Sequence, residues 1–174
     1  MDRRTFGASF VAGMAGLVAA PAVAQRRMGQ MNMAMGPAEQ RHARDTLAIG
    51  NVALLTSQLA QSRGGHPLVR QFAQFEIEEN TTVAQIIREL TGLTPPPPVG
   101  ADRRMIDQLR NQRGADFDRM YITAQIDGHR RLREVQDRYL GQGRNTHHRH
   151  IAMLARGRIL EHIRELELIR DLRS

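Results

Sequence analysis

Two histidines and a handful of carboxylates are spaced so that they can meet inside one helical protein. The stretch FDRMYITAQIDGH, from Phe117 to His129, reads as a helix with Tyr121, Gln125 and His129 on one stripe. Ala155, Ile159, His162, Leu166 and Ile169 make a second stripe, with His162 inside an aliphatic row. A third runs through Phe72, Glu76, Glu79/Asn80, Val83, Ile86/Ile87 and Leu90. The donor set Glu76, Glu79, His129 and His162 would hold one Zn(II), Fe(II) or Mn(II) ion. The same groups, with Asn80, Asp118, Tyr121 and Gln125, would equally bond one another, because buried polar groups need partners. The sequence favours this second reading, a structural polar layer, with the metal site as its alternative. Di-iron bundles carry Glu-x-x-His on each of two helices, and no Glu-x-x-His is read in this chain.

Two further groups have ligand character. Met28, Met31, Met33 and Met35 punctuate QRRMGQMNMAMGP, and thioethers suit Cu(I). The plainer reading of residues 25–37 is a flexible, low-complexity arm. His147, His148 and His150 form the run HHRH, expected to be exposed and to bind metal only adventitiously.

Composition removes several chemistries. All 25 basic residues are arginine, so no lysine is present to form a Schiff base or act as a general base. The absence of cysteine excludes disulfides, thiolate catalysis and zinc–sulfur sites. No catalytic residues stand out. The net charge of +7 favours anionic partners. The arginines are spread along helices with few aromatics among them, which argues against nucleic acid.

The first residues, MDRRTFGASFVAGMAGLVAAPAVAQ, read as an export signal. Arg3-Arg4 with Phe6 resembles a twin-arginine motif. An apolar run follows, too short to span a bilayer comfortably, and then Ala22-Val23-Ala24, with cleavage expected after Ala24. The expected location is the periplasm, with no transmembrane segment after cleavage and an anionic envelope surface as the natural neighbour. Self-association into a homo-oligomer stays open.

Four long helices must position these residues. The first spans about 38–61, with Leu47, Asn51, Leu54 and Gln58 on one stripe and Val52, Leu55 and Leu59 beside it. The second starts at His66-Pro67, with proline in the first turn, and stops near Thr91-Gly92. The third starts at Asp116 and ends before Gly141. The fourth is capped near Asn145-Thr146. Between the second and third lie TPPPPV and a short amphipathic helix over about 102–112. Four prolines cover roughly 12 Å and that helix roughly 16 Å. With its flanks the connection can travel the length of the roughly 38 Å second helix. The other two connections are short. The fold class read from this is all-α: a ferritin-like four-helix bundle with a long Pro-rich crossover containing a short helix between helices 2 and 3. The domain occupies residues 38–174, after the 1–24 signal and the 25–37 arm.

Phe117, Asp118, Tyr121, Gln125 and His129, with Gly114 before them and His162 in the last helix, resemble the ferritin-like family of exported bacterial proteins known as domain of unknown function 4142. The resemblance runs from about Arg44 to Arg170. It implies the ferritin-like fold and an ancestral polar site, and no reaction. Where the family's first helix carries a glutamate, this chain has Leu54, four residues after Gly50. Where the second carries Asp-His, it has Glu79-Asn80. Part of any ancestral ligand shell is therefore gone. The leading expectation is a non-enzymatic envelope or stress protein. The alternatives are a metal-binding protein, using the core or the Met-rich arm, and a basic module for anionic envelope polymers.

Overall fold

A computed structural model describes residues 35–172 of the 174. Five helices follow one another: α1 Pro37–Arg63, α2 Pro67–Thr91, α3 Gly100–Arg110, α4 Gly114–Gln142 and α5 Thr146–Asp171. Among the described residues there is no strand, and one parallel bridge joins Gly64 to Gly114. The protein is all-α, as the sequence patterns require. The expected leader, and Met28, Met31 and Met33 of the expected arm, lie outside the described residues; Met35 is half-buried just before α1.

The helix ends follow local chemistry. Pro37 sits in the first turn of α1, and Glu39 bonds the Gly36 N–H at 3.0 Å. His66 caps α2, its Nδ1 accepting from Leu68 N–H at 3.2 Å, and Asn145 caps α5 by accepting from His148 N–H at 3.2 Å. Both bounds of α4 and of α3 differ from expectation. α4 starts two residues before Asp116 and runs through Gly141, because Gly143 is the residue whose geometry ends it. Its Cβ would overlap the Tyr139 ring, so only glycine fits there. α3 begins and ends two residues early, at Gly100 and Arg110.

α1 packs along α2 and α4, and α4 along α5; α3 rests on α1 and α4. α2 and α5 touch only sparsely. Val69, Phe72, Phe117, Tyr121, Ile122, Leu166 and Ile169 belong to the main apolar cluster, and Ala43, Leu47 and Ile87 to a smaller one. The inward stripes of α2, α4 and α5 are essentially those expected. The stripe on α1 is not: Gln58 is exposed and Asn51 and Leu54 only half-buried, while Thr46, Thr56 and Ser57 are buried. Small hydroxyl residues go inside because they find partners there, which hydrophobic periodicity does not register.

Asn51 Nδ2 donates to the Pro96 carbonyl at 2.9 Å, fastening the Pro-rich segment to α1. Where the α1–α2 turn meets the start of α4, Gly65 lies so close to Gly114 that a Cβ on it would sit 2.9 Å from the Gly114 Cα, and Gly114 itself has φ +58°. Asp118 completes this junction by accepting from Gly65 N–H at 3.0 Å and His66 N–H at 2.9 Å.

Candidate metal centre

Mid-molecule, α2 brings Glu76, α4 brings His129 and α5 brings His162 to one point, all at most 4% exposed. Glu76 Oε1 lies 2.7 Å from His162 Nδ1 and 3.2 Å from His129 Nε2, and those two nitrogens are 3.2 Å apart. Ligands bound at about 2.1 Å stand roughly 3.0 Å apart at right angles and roughly 3.4 Å apart in a tetrahedron. Two edges of the triangle fall in that range, and the Glu76–His162 edge, at hydrogen-bond length, would open by a few tenths of an ångström around an ion.

The surroundings fix each group. His129 Nδ1–H donates to the Gln125 carbonyl at 2.8 Å, which leaves Nε2 pointing at the triangle. A backbone carbonyl in this place sets the tautomer and ring orientation that a metal-binding histidine needs. Gln125 is itself held by α1: its Nε2 donates to Thr56 Oγ1 at 3.0 Å, Ser57 Oγ at 3.2 Å and the Ala53 carbonyl at 3.3 Å. Asn80 Nδ2 donates to Glu76 Oε2 at 3.0 Å and thereby frees Oε1 for the triangle. Asn80 also explains Gly50, where a Cβ would come within 2.8 Å of Asn80 Oδ1.

Without a metal the triangle is a proton site. Burial pushes the Glu76 carboxyl up, but the bonds and charges of His129 and His162 outweigh it and hold it at about 2. Burial pushes His129 down, but the bond to Glu76 and its charge outweigh that and raise it above its ordinary value. A His129 that keeps Nδ1–H on Gln125 and also donates from Nε2 to Glu76 is an imidazolium, so metal and proton compete for the same lone pair.

Of the residues expected inside, Glu76, His129 and His162 converge. Glu79 stands behind His162, its Oε2 3.5 Å from Nε2 and its Oε1 2.8 Å from Arg158 Nε. The group within hydrogen-bond distance of His162 Nε2 is Arg158 Nη2, at 3.2 Å; Glu79 pairs with that guanidinium and is not a fourth ligand at the triangle. Tyr121 bonds Ser57 Oγ at 2.8 Å in the apolar cluster next door, with its hydroxyl pushed well up by burial and by Glu76. Asp118 is buried at the α1–α2 turn, away from the triangle. Leu54 is half-buried on α1.

A second polar cluster was not expected from the sequence. Glu39, His42 and Thr46 on α1 meet Gln136 and Tyr139 on α4 and Asn145 and His148 at the start of α5, and all of these are buried. His42 Nε2 lies 2.7 Å from Gln136 Oε1 and His42 Nδ1 lies 3.1 Å from His148 Nδ1; the His42 ring stacks on Tyr139. Glu39 Oε1 accepts from Tyr139 OH at 3.0 Å, Arg144 N–H at 3.1 Å and Asn145 N–H at 3.3 Å. Burial raises this carboxyl, but those bonds overcome it and hold it at about 2. His148 corrects the expectation of an exposed HHRH run: it is fully buried, while His147 and His150 are exposed. α5 begins at Thr146, so one of the three ring positions must face α1 and α4. The expectation that the chain has no Glu-x-x-His is corrected here too: Glu39-Gln40-Arg41-His42 is one, and it puts both side chains on one helix face.

The family model described as "Domain of unknown function (DUF4142)" matches residues 23–169, and the chain belongs to that family. No curated protein and no solved structure matches it.

Proposed function

We propose that this member of the family is an exported ferritin-like four-helix-bundle protein that holds a single divalent transition-metal ion on Glu76, His129 and His162. The observation that carries this is the buried triangle of one carboxylate oxygen and two imidazole nitrogens, at 2.7, 3.2 and 3.2 Å. Two histidines and one carboxylate with positions left open suit Fe(II), Mn(II) or Zn(II). The support around it is of the kind metal ligands have: a carbonyl behind His129 and an amide behind Glu76. No residue is assigned a catalytic role.

The resemblance to exported proteins and the twin-arginine pattern of the leader support the periplasmic location. The four long helices with their crossover support the ferritin-like assignment. The competing reading, a purely structural layer, rests on the same contacts taken as hydrogen bonds.

Elemental analysis of untagged protein, with titration of Zn(II) and of Co(II) as an optical stand-in, separates the two. The expected result is one ion per chain, abolished in His129→Ala and weakened in Glu76→Gln. Wild-type protein that takes up no stoichiometric ion, and whose melting is indifferent to chelator, would leave the triangle as a structural layer.

A further inference from the structure

The sparse contact between α2 and α5 leaves a pocket of about 430 Å³, and the triangle forms part of its wall. A volume of this order accommodates a small organic molecule. Its lining is divided. Ile49, Val83, Ile86, Leu132, Ile151 and Leu154 supply an aliphatic wall with no Phe or Tyr in it, while the metal-site residues Glu76, His129 and His162, with Glu79 and Arg158, supply a polar one. Ile86 and Leu154 are 38% and 75% exposed, so the apolar side of the pocket reaches the surface.

Charge decides what the polar end accepts. Glu79 and Arg158 neutralise each other across a direct ion pair, and Glu78, which also lines the pocket, is exposed and screened by water. A divalent ion on Glu76 and two neutral imidazoles leaves one positive charge in a buried place, and burying an unbalanced charge is unfavourable. Three protein ligands leave coordination positions open. A ligand that satisfies both walls therefore has an anionic oxygen head and an aliphatic remainder, with no ring needed for stacking.

Resting on the metal reading above, we infer that the α2–α5 pocket binds an aliphatic carboxylate, with its head on the metal held by Glu76, His129 and His162 and its chain along the aliphatic wall.

The test uses the full chain with its leader removed, loaded with Co(II), and two probes: decanoate and decanol. Decanoate should bind with a change in the Co(II) visible spectrum. Decanol should bind at least tenfold more weakly and leave the spectrum unchanged. Shortening decanoate should weaken binding roughly threefold to fourfold per methylene. Ala155→Phe, which places a ring in the pocket, should keep one Co(II) per chain and lose decanoate. If Co(II) binds one to one but decanoate neither binds nor alters its spectrum, this inference falls and the metal reading stands. If no metal binds, the metal reading falls and takes this inference with it. If the protein dimerises, Leu154→Arg returns it to monomer and decanoate fails to compete, a second copy occupies the seam and the inference is overturned.

Discussion

The Nδ1 atoms of His42 and His148 face each other at 3.1 Å, so one of them carries a proton and the other a lone pair. His42 Nε2 is already engaged with Gln136, and His148 Nε2 is buried with no hydrogen-bond partner. The pair therefore has room for one shared proton and resists a second. Burial, then the charge of a protonated His42, hold His148 down at about 4, and burial lowers His42 as well. Glu39 and Asp45 on α1 pull the other way, and His147 beside it adds to the depression.

The sign follows. Between pH 6.5 and about 4 the unfolded chain holds a proton that folded His148 does not. Stability is then fully present above pH 6.5 and declines as the pH falls toward 4, at up to about 1.4 kcal/mol per pH unit for one proton. His148→Phe should flatten that window. Urea melts at pH 7, 6, 5 and 4 measure it; an unchanged slope in the variant would place the acid sensitivity elsewhere.

Metal uptake should depend on pH in the same direction for a different reason. His129 must lose a proton that Glu76 helps it keep, and its titration is raised above the ordinary 6.5. Zn(II) affinity is expected to go on increasing with pH beyond 6.5, where a free imidazole site would already have levelled off. In Glu76→Gln the curve should move to lower pH while affinity drops, because the charge that held the proton is gone. Calorimetric titrations across pH 5.5–8 test both, and a wild-type curve level above pH 6.5 would contradict the coupling.

Two glycines two residues apart should respond oppositely to alanine. Gly143→Ala puts a methyl into the Tyr139 ring and should destabilise by about 2 kcal/mol or more, through overpacking. Gly141 lies inside α4 and is exposed, with nothing near the position of a Cβ. Gly141→Ala should stabilise by about 0.5–1 kcal/mol. Thermal melts of the two variants suffice, and equal shifts would mean that the turn after Tyr139 relaxes freely.

Much of this architecture is legible in the sequence because Leu, Ile and Val repeat at helical spacing on α2, α4 and α5. Pro67, Gly92 and the proline run mark where those helices cannot continue. His129 and His162 are legible for the same reason, each being a polar interruption in an apolar row. Glu39, His42 and His148 are not. Their helix faces are mixed, the hydroxyls of Thr46 and Thr56 count as polar in any periodicity, and their burial follows from partners more than ninety residues away in the chain. Glu79 is legible as inward but not as the partner of Arg158, since spacing along one helix cannot tell a ligand from a residue that pairs with a neighbouring helix.

Export can be examined without a structure. Arg3→Lys with Arg4→Lys keeps the charge and removes the guanidinium pair. In a bacterium with a twin-arginine translocase the double variant should accumulate as uncleaved precursor inside the cell. Export at the wild-type level, followed by fractionation and immunoblotting, would assign the leader to the general secretory route.

The grip of Asp118 on Gly65 and His66 has a consequence for how fast the chain reaches this arrangement. The α1–α2 and α4–α5 pairs can each form from neighbours in sequence. The bond from Asp118 to His66 joins residues 52 apart and can form only once the proline-rich segment has been laid across. Closing a flexible loop of that length costs roughly 3–4 kcal/mol in chain entropy, incurred before the two pairs bury their common core. The search for this closure is then the step that topology makes slow. Asp118→Asn should lower the refolding rate more than it raises the unfolding rate, and stopped-flow chevrons would read this directly from the two limbs.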